Sequence, residues 1–321
     1  MKKLKHVDAL TVADAVFALN QNKGNSKIIA GGTDLIGALK DEVYAIYPEV
    51  VINIKNIPSL NYIKEEAGML KIGALTNLDI IASSSIVKGK YLALAQAADM
   101  VASPNIRCMG TIGGNICQET RCWYFRSPWN RFECLKKNRN GLCYALLGDN
   151  RYHSIFGAID GCVCVNPSDV APALVAFDAK VVTSKRELEI IDFFDVGVAP
   201  NSGMTVLDMD EIVTEIKVPQ PLPGTKSCFL KLAIRKSIDF PIVNCAAVIG
   251  SDSASICLNA VSGKPKKVTT AEQFIAGKEI NEANAQAAAD EAVKSALSLG
   301  QNKYMVQIAK TLVKRAILAC K

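Results

Sequence analysis

Apolar positions along the chain change period several times, and the changes outline its elements. Residues 10–22 space their apolar side chains helically behind Thr11, a candidate N-cap, which predicts an amphipathic helix. Residues 27–30 form a short apolar strand that ends in Gly31-Gly32-Thr33-Asp34. A helix from Leu35 to Lys40 and a strand at 49–54 follow, making a small βαβ-like unit with a glycine turn after its first strand. Strands are predicted around 62–63 and 69–72, then helical stretches at about 77–84 and 88–102 that stop at Ser103-Pro104. Residues 170–177 are an apolar stretch of uncertain type, and 179–183 read as a strand. Glu211 to Val218 alternates at period two, a strand signature. Pro219 to Gly224 packs three prolines and a glycine into six residues, which neither a helix nor a central strand tolerates, so a linker is expected there. Strands near 227–234, 242–250 and 254–261 and two helices complete the chain. The last helix, at about 302–319, carries Met305, Ile308, Ala309, Leu312 and Ala316 on one stripe. There is no internal repeat, and the class is α+β.

Composition narrows the picture. With 321 residues, half of them hydrophobic and 21% charged, the chain has material for a substantial core and two or more domains. The net charge of +6 is mild and its cations are scattered among 31 acids, which argues against a nucleic-acid partner. No stretch approaches the ~18–20 apolar residues that cross a bilayer, so no membrane association is expected. Met1 to Asp8 has basic residues without a following apolar run, and the chain reads as cytoplasmic. Its eleven cysteines are then not expected to form disulfides. Cys228, Cys245, Cys257 and Cys320 sit in apolar contexts and read as small core side chains.

Residues 117–166 differ from the rest. They hold six of the eleven cysteines, both tryptophans and eight of the twenty aromatics. Cys122, Cys134, Cys143 and Cys162 are separated by 11, 8 and 18 residues, too loose for the two close pairs of a zinc ribbon but suited to an iron–sulfur cluster held by one long loop. Zinc on the same cysteines is the alternative. The stretch has seven Lys/Arg against four Asp/Glu, which fits either a solvated loop or a face for an acidic electron-transfer partner.

Three turns carry further chemistry. In Ile28-Ile29-Ala30-Gly31-Gly32-Thr33-Asp34-Leu35, a strand ends in a diglycine turn that opens a helix, aiming free N–H groups at one point where a diphosphate can approach. It lacks the Gly-x-Gly-x-x-Gly spacing, so a Rossmann fold is disfavoured. Gly110-Thr111-Ile112-Gly113-Gly114-Asn115 is a second hydroxyl-plus-diglycine turn. The two either grip one extended diphosphate or are unrelated. In Asn166-Pro167-Ser168-Asp169, the Ser-Asp pair either accepts hydrogen bonds from ribose hydroxyls or caps the apolar stretch behind it.

Together, the Ala-Gly-Gly-Thr-Asp-Leu turn, Thr-Ile-Gly-Gly-Asn and Pro-Ser-Asp followed by Ala171-Pro172-Ala173-Leu174 resemble the FAD-binding medium subunit of the molybdenum hydroxylases, which include xanthine, aldehyde and carbon monoxide dehydrogenases. The resemblance extends over Val101 to Arg107, Glu211 to Pro219 and Arg235 to Pro241, and so over nearly the whole chain. It implies a vanillyl-alcohol-oxidase (PCMH)-type FAD-binding domain at 1–219, with subdomains at about 1–57 and 58–219, and a small α/β domain at 226–321. FAD would contact Ile29, Ala30, Gly31, Gly32, Thr33, Asp34 and Leu35, with Thr76, Thr111, Gly113, Gly114 and Asn115. Ser168 and Asp169 would lie near the ribose, and Ile212 by the flavin or adenine.

Most members run from the Gly-Gly-Asn turn to the Ser-Asp pair by a much shorter path, whereas here the interval exceeds fifty residues. An insert of this kind resembles the subset with an additional [4Fe–4S] cluster, such as 4-hydroxybenzoyl-CoA reductase and a bacterial periplasmic aldehyde oxidoreductase. The implied ligands are Cys122, Cys134, Cys143 and Cys162, with Cys164, Cys117 or His153 able to replace one. The implied function is an electron-transfer flavoprotein subunit. It would pass electrons between an external carrier, the [4Fe–4S] cluster, FAD and partner subunits that hold molybdenum and [2Fe–2S] centres. Electron transfer needs no catalytic acid or base. Ile242 or Val243 stands where some members place a lysine by the flavin, which favours a ferredoxin-like carrier over NAD(P). The alternatives are a stand-alone FAD oxidoreductase acting on a small substrate, and a zinc-stapled interaction subunit.

Overall fold

A computed structural model describes residues 1–137, 141–194, 197 and 203–321. Its first sheet is parallel, with β1 (Lys5–Asp8), β2 (Ser26–Ile29) and β3 (Val50–Asn53) in the order β1-β3-β2. Central β3 is apolar and buried at Val50, Val51 and Ile52, as a strand covered on both faces must be. Helix Val12–Gln21 starts at Thr11 through a reciprocal capping box with Asp14. Hydrophobic period does not reveal β1, a short and mostly exposed edge strand, so the expected βαβ-like unit contains one strand more.

The second sheet is antiparallel. It comprises β4 (Ile63–Glu66), β5 (Met69–Gly73), β6 (Lys180–Thr183), β7 (Glu187–Glu189) and β8 (Val213–Pro219), in the order β4-β5-β8-β6-β7. Strand β8 begins two residues later than its alternation predicts. The Glu211 side chain is instead taken by Arg186 at 3.0 Å and by the Thr183 hydroxyl at 2.6 Å. Between β5 and the cysteine-rich stretch lie helices Leu78–Ser83, Ser85–Lys90, Leu92–Asp99 and Pro104–Arg107. The expected pair of longer helices is broken at Ser84, whose hydroxyl caps Val87, and again at Tyr91.

The third sheet is also antiparallel: β9 (Lys226–Leu232), β10 (Val243–Ile249), β11 (Ala254–Asn259) and β12 (Lys266–Lys267), in the order β12-β11-β10-β9. Three helices, not two, cover its outer face: Thr269–Ile275, Glu282–Ala292 and Tyr304–Leu318. Residues 220–225 join β8 to β9, as expected for the linker, although Pro219 itself closes β8 opposite Met69. Cys228, Cys245, Cys257 and Cys320 are buried core side chains, also as expected.

One core joins the second and third sheets. Helix Leu92–Asp99 and helix Val170–Ala176 lie in it, between Leu70, Ile72 and Ile216 on one side and Phe229 and Ala246 on the other. Every residue of helix Val170–Ala176 is buried, which is why its sequence has no apolar–polar period. The glycine turns and the cysteine-rich stretch gather where this core meets the first sheet. Among the described residues, no helix is long and apolar enough to cross a membrane.

Candidate functional site

The two diglycine turns pack directly against each other. A Cβ on Gly31 would stand 2.0 Å from the Met109 carbonyl oxygen and 3.0 Å from the Gly110 Cα, so only glycine permits this approach. Gly32 sits at φ +72°, which also favours glycine. The turns differ in what they offer. The amides of Gly31, Gly32, Thr33 and Asp34 have no acceptor among the described residues. Those of the second turn are used internally: Gly113 donates to the Ala74 carbonyl, Gly114 to the Thr111 hydroxyl and Asn115 to the Thr111 carbonyl. The first turn presents donors, and the second closes against it.

Both turns border a cavity of ≈ 450 Å³. Of the residues expected at a cofactor, Ile29, Ala30, Gly31, Gly32, Thr33, Asp34, Leu35, Thr111, Gly113, Gly114, Asn115 and Ile212 line it. Its other walls include the apolar Leu78, Val101, Ile106, Leu207 and Val213, and a polar group of Lys27, Tyr44, Gln118, Glu119 and Arg121. An elongated ligand with flat apolar rings and a central diphosphate fits this lining.

Thr76, Ser168 and Asp169 are placed outside the lining. Thr76 is buried, and its hydroxyl exchanges hydrogen bonds with the Tyr62 backbone. Ser168 donates to Asn115 Oδ1 at 2.5 Å and so orients a residue that does line the cavity. Asp169 faces the third sheet, where Lys231 Nζ at 2.7 Å and Asn244 Nδ2 at 2.8 Å donate to it. Burial raises the Asp169 pKa, and Lys231 and Asn244 offset only part of that. No local sequence signal marks Lys231 or Arg126, because both act across long separations.

Asp34 lines the cavity, yet its carboxylate is claimed by the cysteine-rich stretch. Arg121 lies at 2.8 Å and Arg126 at 2.6 Å, and the Glu119 amide donates at 2.9 Å. Burial alone would raise its pKa, but the two guanidinium groups and the amide outweigh burial and hold it below the ordinary value. Arg121 also stacks on Phe240 at 4.2 Å and donates to Gln118 Oε1 at 2.9 Å. Cys117, Gln118, Glu119 and Arg121 therefore wall the cavity, and the next residue is Cys122.

Cys122, Cys134, Cys143, Cys162 and Cys164 all converge on a second, small void of ≈ 10 Å³, walled by Tyr124, Phe125, Leu135 and Tyr144. Burial pushes the Cys122 thiol up to about 12 and raises Cys134 as well. His153 Nε2 lies 3.3 Å from Cys122 Sγ, and burial lowers the imidazole pKa to about 4, so the ring is neutral at pH 7. Cys117 is placed at the cofactor cavity and not at the thiol void. Among the described residues, no three His, Cys, Asp or Glu side chains stand close enough to hold a single metal ion. The donor set is five thiols, buried at Cys134, Cys162 and Cys164 and half-buried at Cys122 and Cys143, with aromatic walls, and thiolates of this kind suit soft metal centres.

The loop bearing the thiols is fastened on two sides. Arg121, Arg126 and the Trp129 amide, which donates to the Asp41 carbonyl at 2.7 Å, tie it to the first sheet's unit. Asn302 donates to the carbonyls of His153 and Ser154, and Tyr304 to that of Arg151, tying it to the C-terminal helices.

Known proteins resemble this chain in sequence and fold. Residues 2–221 match the profile of the FAD binding domain in molybdopterin dehydrogenase, and residues 229–320 that of the CO dehydrogenase flavoprotein C-terminal domain. The Escherichia coli K12 aldehyde oxidoreductase FAD-binding subunit PaoB is 30% identical over 317 residues, covering 97% of this chain and 96% of its own. The carbon monoxide dehydrogenase medium chain of Hydrogenophaga pseudoflava is 29% identical over 322 residues, covering 96% and 94%. A solved structure of carbon monoxide dehydrogenase from Hydrogenophaga pseudoflava, lacking the Mo-pyranopterin moiety of its cofactor, superposes with a TM-score of 0.78 at 26% identity, over 99% of this chain and 97% of that one.

Proposed function

The chain belongs to the family of FAD-binding medium subunits of the molybdenum hydroxylases, and from that premise we propose that it is the electron-transfer flavoprotein subunit of such a complex. Residues 1–219 are assigned as the FAD-binding domain, divided near residue 57, and residues 226–321 as the C-terminal domain. The cavity residues fit FAD. The open amides of Gly31 to Asp34 would receive its diphosphate, and Thr111, Gly113, Gly114 and Asn115 would close the opposite side. The apolar walls, with Ile29 and Ile212, would hold its rings. Ser168 would keep Asn115 in place, and Asp169 would lock the supporting helix to the third sheet through Lys231.

Bound FAD supplies chemistry that accepts electrons in pairs and releases them singly, while the protein supplies position and electrostatics. The polar group at Lys27, Tyr44, Glu119 and Arg121 would orient the cofactor, and Leu78, Val101 and Ile106 would exclude water from it. We assign a [4Fe–4S] cluster to Cys122, Cys134, Cys143 and Cys162, with Cys164 beside them. The observation that carries this reading is the continuity of residues 117–122, which run from the wall of one cavity into the thiol set of the other. A cytoplasmic location is part of this proposal. The partners are a molybdenum-cofactor subunit and a [2Fe–2S] subunit, and the external carrier is a ferredoxin-like protein or NAD(P).

Co-expression with candidate partner subunits tests the assignment. The chain is expected to co-purify with both and to carry one FAD that the complex's substrate reduces anaerobically. A fully active monomer would reject it.

A further inference from the structure

Two consecutive lysines stand beside the thiol set. Lys136 and Lys137, at 4% and 6% exposure, are among the most deeply buried cations of the chain. Lys136 lines the thiol void, and its ammonium donates to the Gly203 carbonyl at 2.9 Å. Lys137 Nζ lies 5.4 Å from the centre of the Phe125 ring, itself a wall of that void, and has no hydrogen-bond partner among the described residues. A buried ammonium without a partner is costly and calls for a compensating negative charge. The groups placed to supply it, once ligated as thiolates, are the five cysteines that line the same void as Lys136 and the Phe125 ring.

Resting on the reading that these cysteines hold a [4Fe–4S] cluster, we propose that Lys136 and Lys137 are its charge-compensating residues. They offset the negative charge of four ligating thiolates and favour the more reduced state, and so set the potential at which the centre takes up an electron. Both lysines and the Phe125 ring are buried, so the two charges are little screened. Neither lysine is a ligand, and neither touches the FAD cavity. Their role is electrostatic positioning of the cluster's energy levels.

An EPR-monitored redox titration of the anaerobically purified complex tests this, with K136M and K137M set against K136R and K137R. Each methionine variant should keep its iron and sulfide and titrate at a more negative potential. The expected shift is on the order of a tenfold change in the oxidised-to-reduced ratio at fixed poise, about 59 mV for a one-electron couple. The arginine variants should titrate as the unaltered complex does. Loss of iron in K137M but not in K137R would also support compensation by charge. Unchanged midpoints in both methionine variants at full iron content would overturn the lysine assignment and leave the cluster standing. So would equal iron loss in K137M and K137R, which marks packing and not charge. A flavin subunit that carries neither iron nor sulfide before any substitution would overturn the cluster reading itself, and this inference with it.

Discussion

Replacing Gly31 with alanine probes the junction of the two turns. The new methyl group would lie 2.0 Å from the Met109 carbonyl oxygen and 2.7 Å from its carbon, and both are backbone atoms that no side-chain rotation can move. The turns must separate, at the cost of an overpacked core substitution, about 1–3 kcal/mol. That separation falls on the amides of Gly31 to Asp34, the groups assigned to the FAD diphosphate, so the cost is borne by binding as well as by stability. At 1.4 kcal/mol per decade, the expected loss of FAD affinity is roughly 5- to 150-fold. Gly37→Ala is the control, because its added methyl would meet no atom within 4 Å and it sits in helix Leu35–Lys40. It should retain FAD and gain up to about 1 kcal/mol in helix stability. Flavin-fluorescence titration of the apoprotein measures the affinity, with far-UV circular dichroism confirming the fold. A Gly31→Ala protein that binds FAD as the unaltered one does would refute the argument that the turns jointly shape the site.

Removing Asp34 or Arg126 should loosen the cysteine-rich loop. Asp34→Asn is expected to cost on the order of 1–2 kcal/mol after allowing for partial exposure, read as faster limited proteolysis within residues 117–166. Because the folded Asp34 pKa is depressed, its contribution is fully present above the unfolded value, about 3.9, and is lost as pH falls through the lower folded value. The Asn variant should lose that acid-side decline in the thermal midpoint, and an unchanged pH profile would contradict the assignment. Lys231→Met strands a buried carboxylate and should destabilise by about 3–5 kcal/mol, most of it restored in the Lys231→Met/Asp169→Asn double variant. Failure of the second substitution to rescue stability would show that Lys231 acts through packing. Leu94→Ala, in the core between the second and third sheets, should cost about 2–5 kcal/mol in urea titration, and a loss under 1 kcal/mol would mean that the site collapses to fill the gap.

How much of this was legible in the sequence depended on the range of each interaction. The glycine turns announced themselves because a diglycine at a strand–helix junction serves backbone close approach, and the structure places Gly31 against Met109. Cysteine density pointed to one site, and five thiols do meet. The FAD-binding fold with its C-terminal partner domain was legible from motif order, and the family comparison bears it out. Less could be read where a side chain's partner is remote. Nothing local announces that Asp34 turns toward Arg121 and Arg126, about ninety residues away, or that Asp169 turns toward Lys231. Edge strand β1 has too little apolar surface to register, and helix Val170–Ala176 has too much to show a period. Residues 138–140, inside the cysteine-rich stretch, lie outside the described residues.

Central to the proposed function is one short segment that joins a flavin cavity to an iron–sulfur centre. Its most direct test is the FAD, iron and acid-labile sulfide content of the anaerobically purified complex, compared with a Cys122→Ala/Cys143→Ala double variant. The double variant is predicted to keep its FAD and to lose about four irons and about four sulfides per flavin subunit, the partner's [2Fe–2S] content remaining. Equal iron in the two preparations, or a complex isolated without FAD, would contradict it.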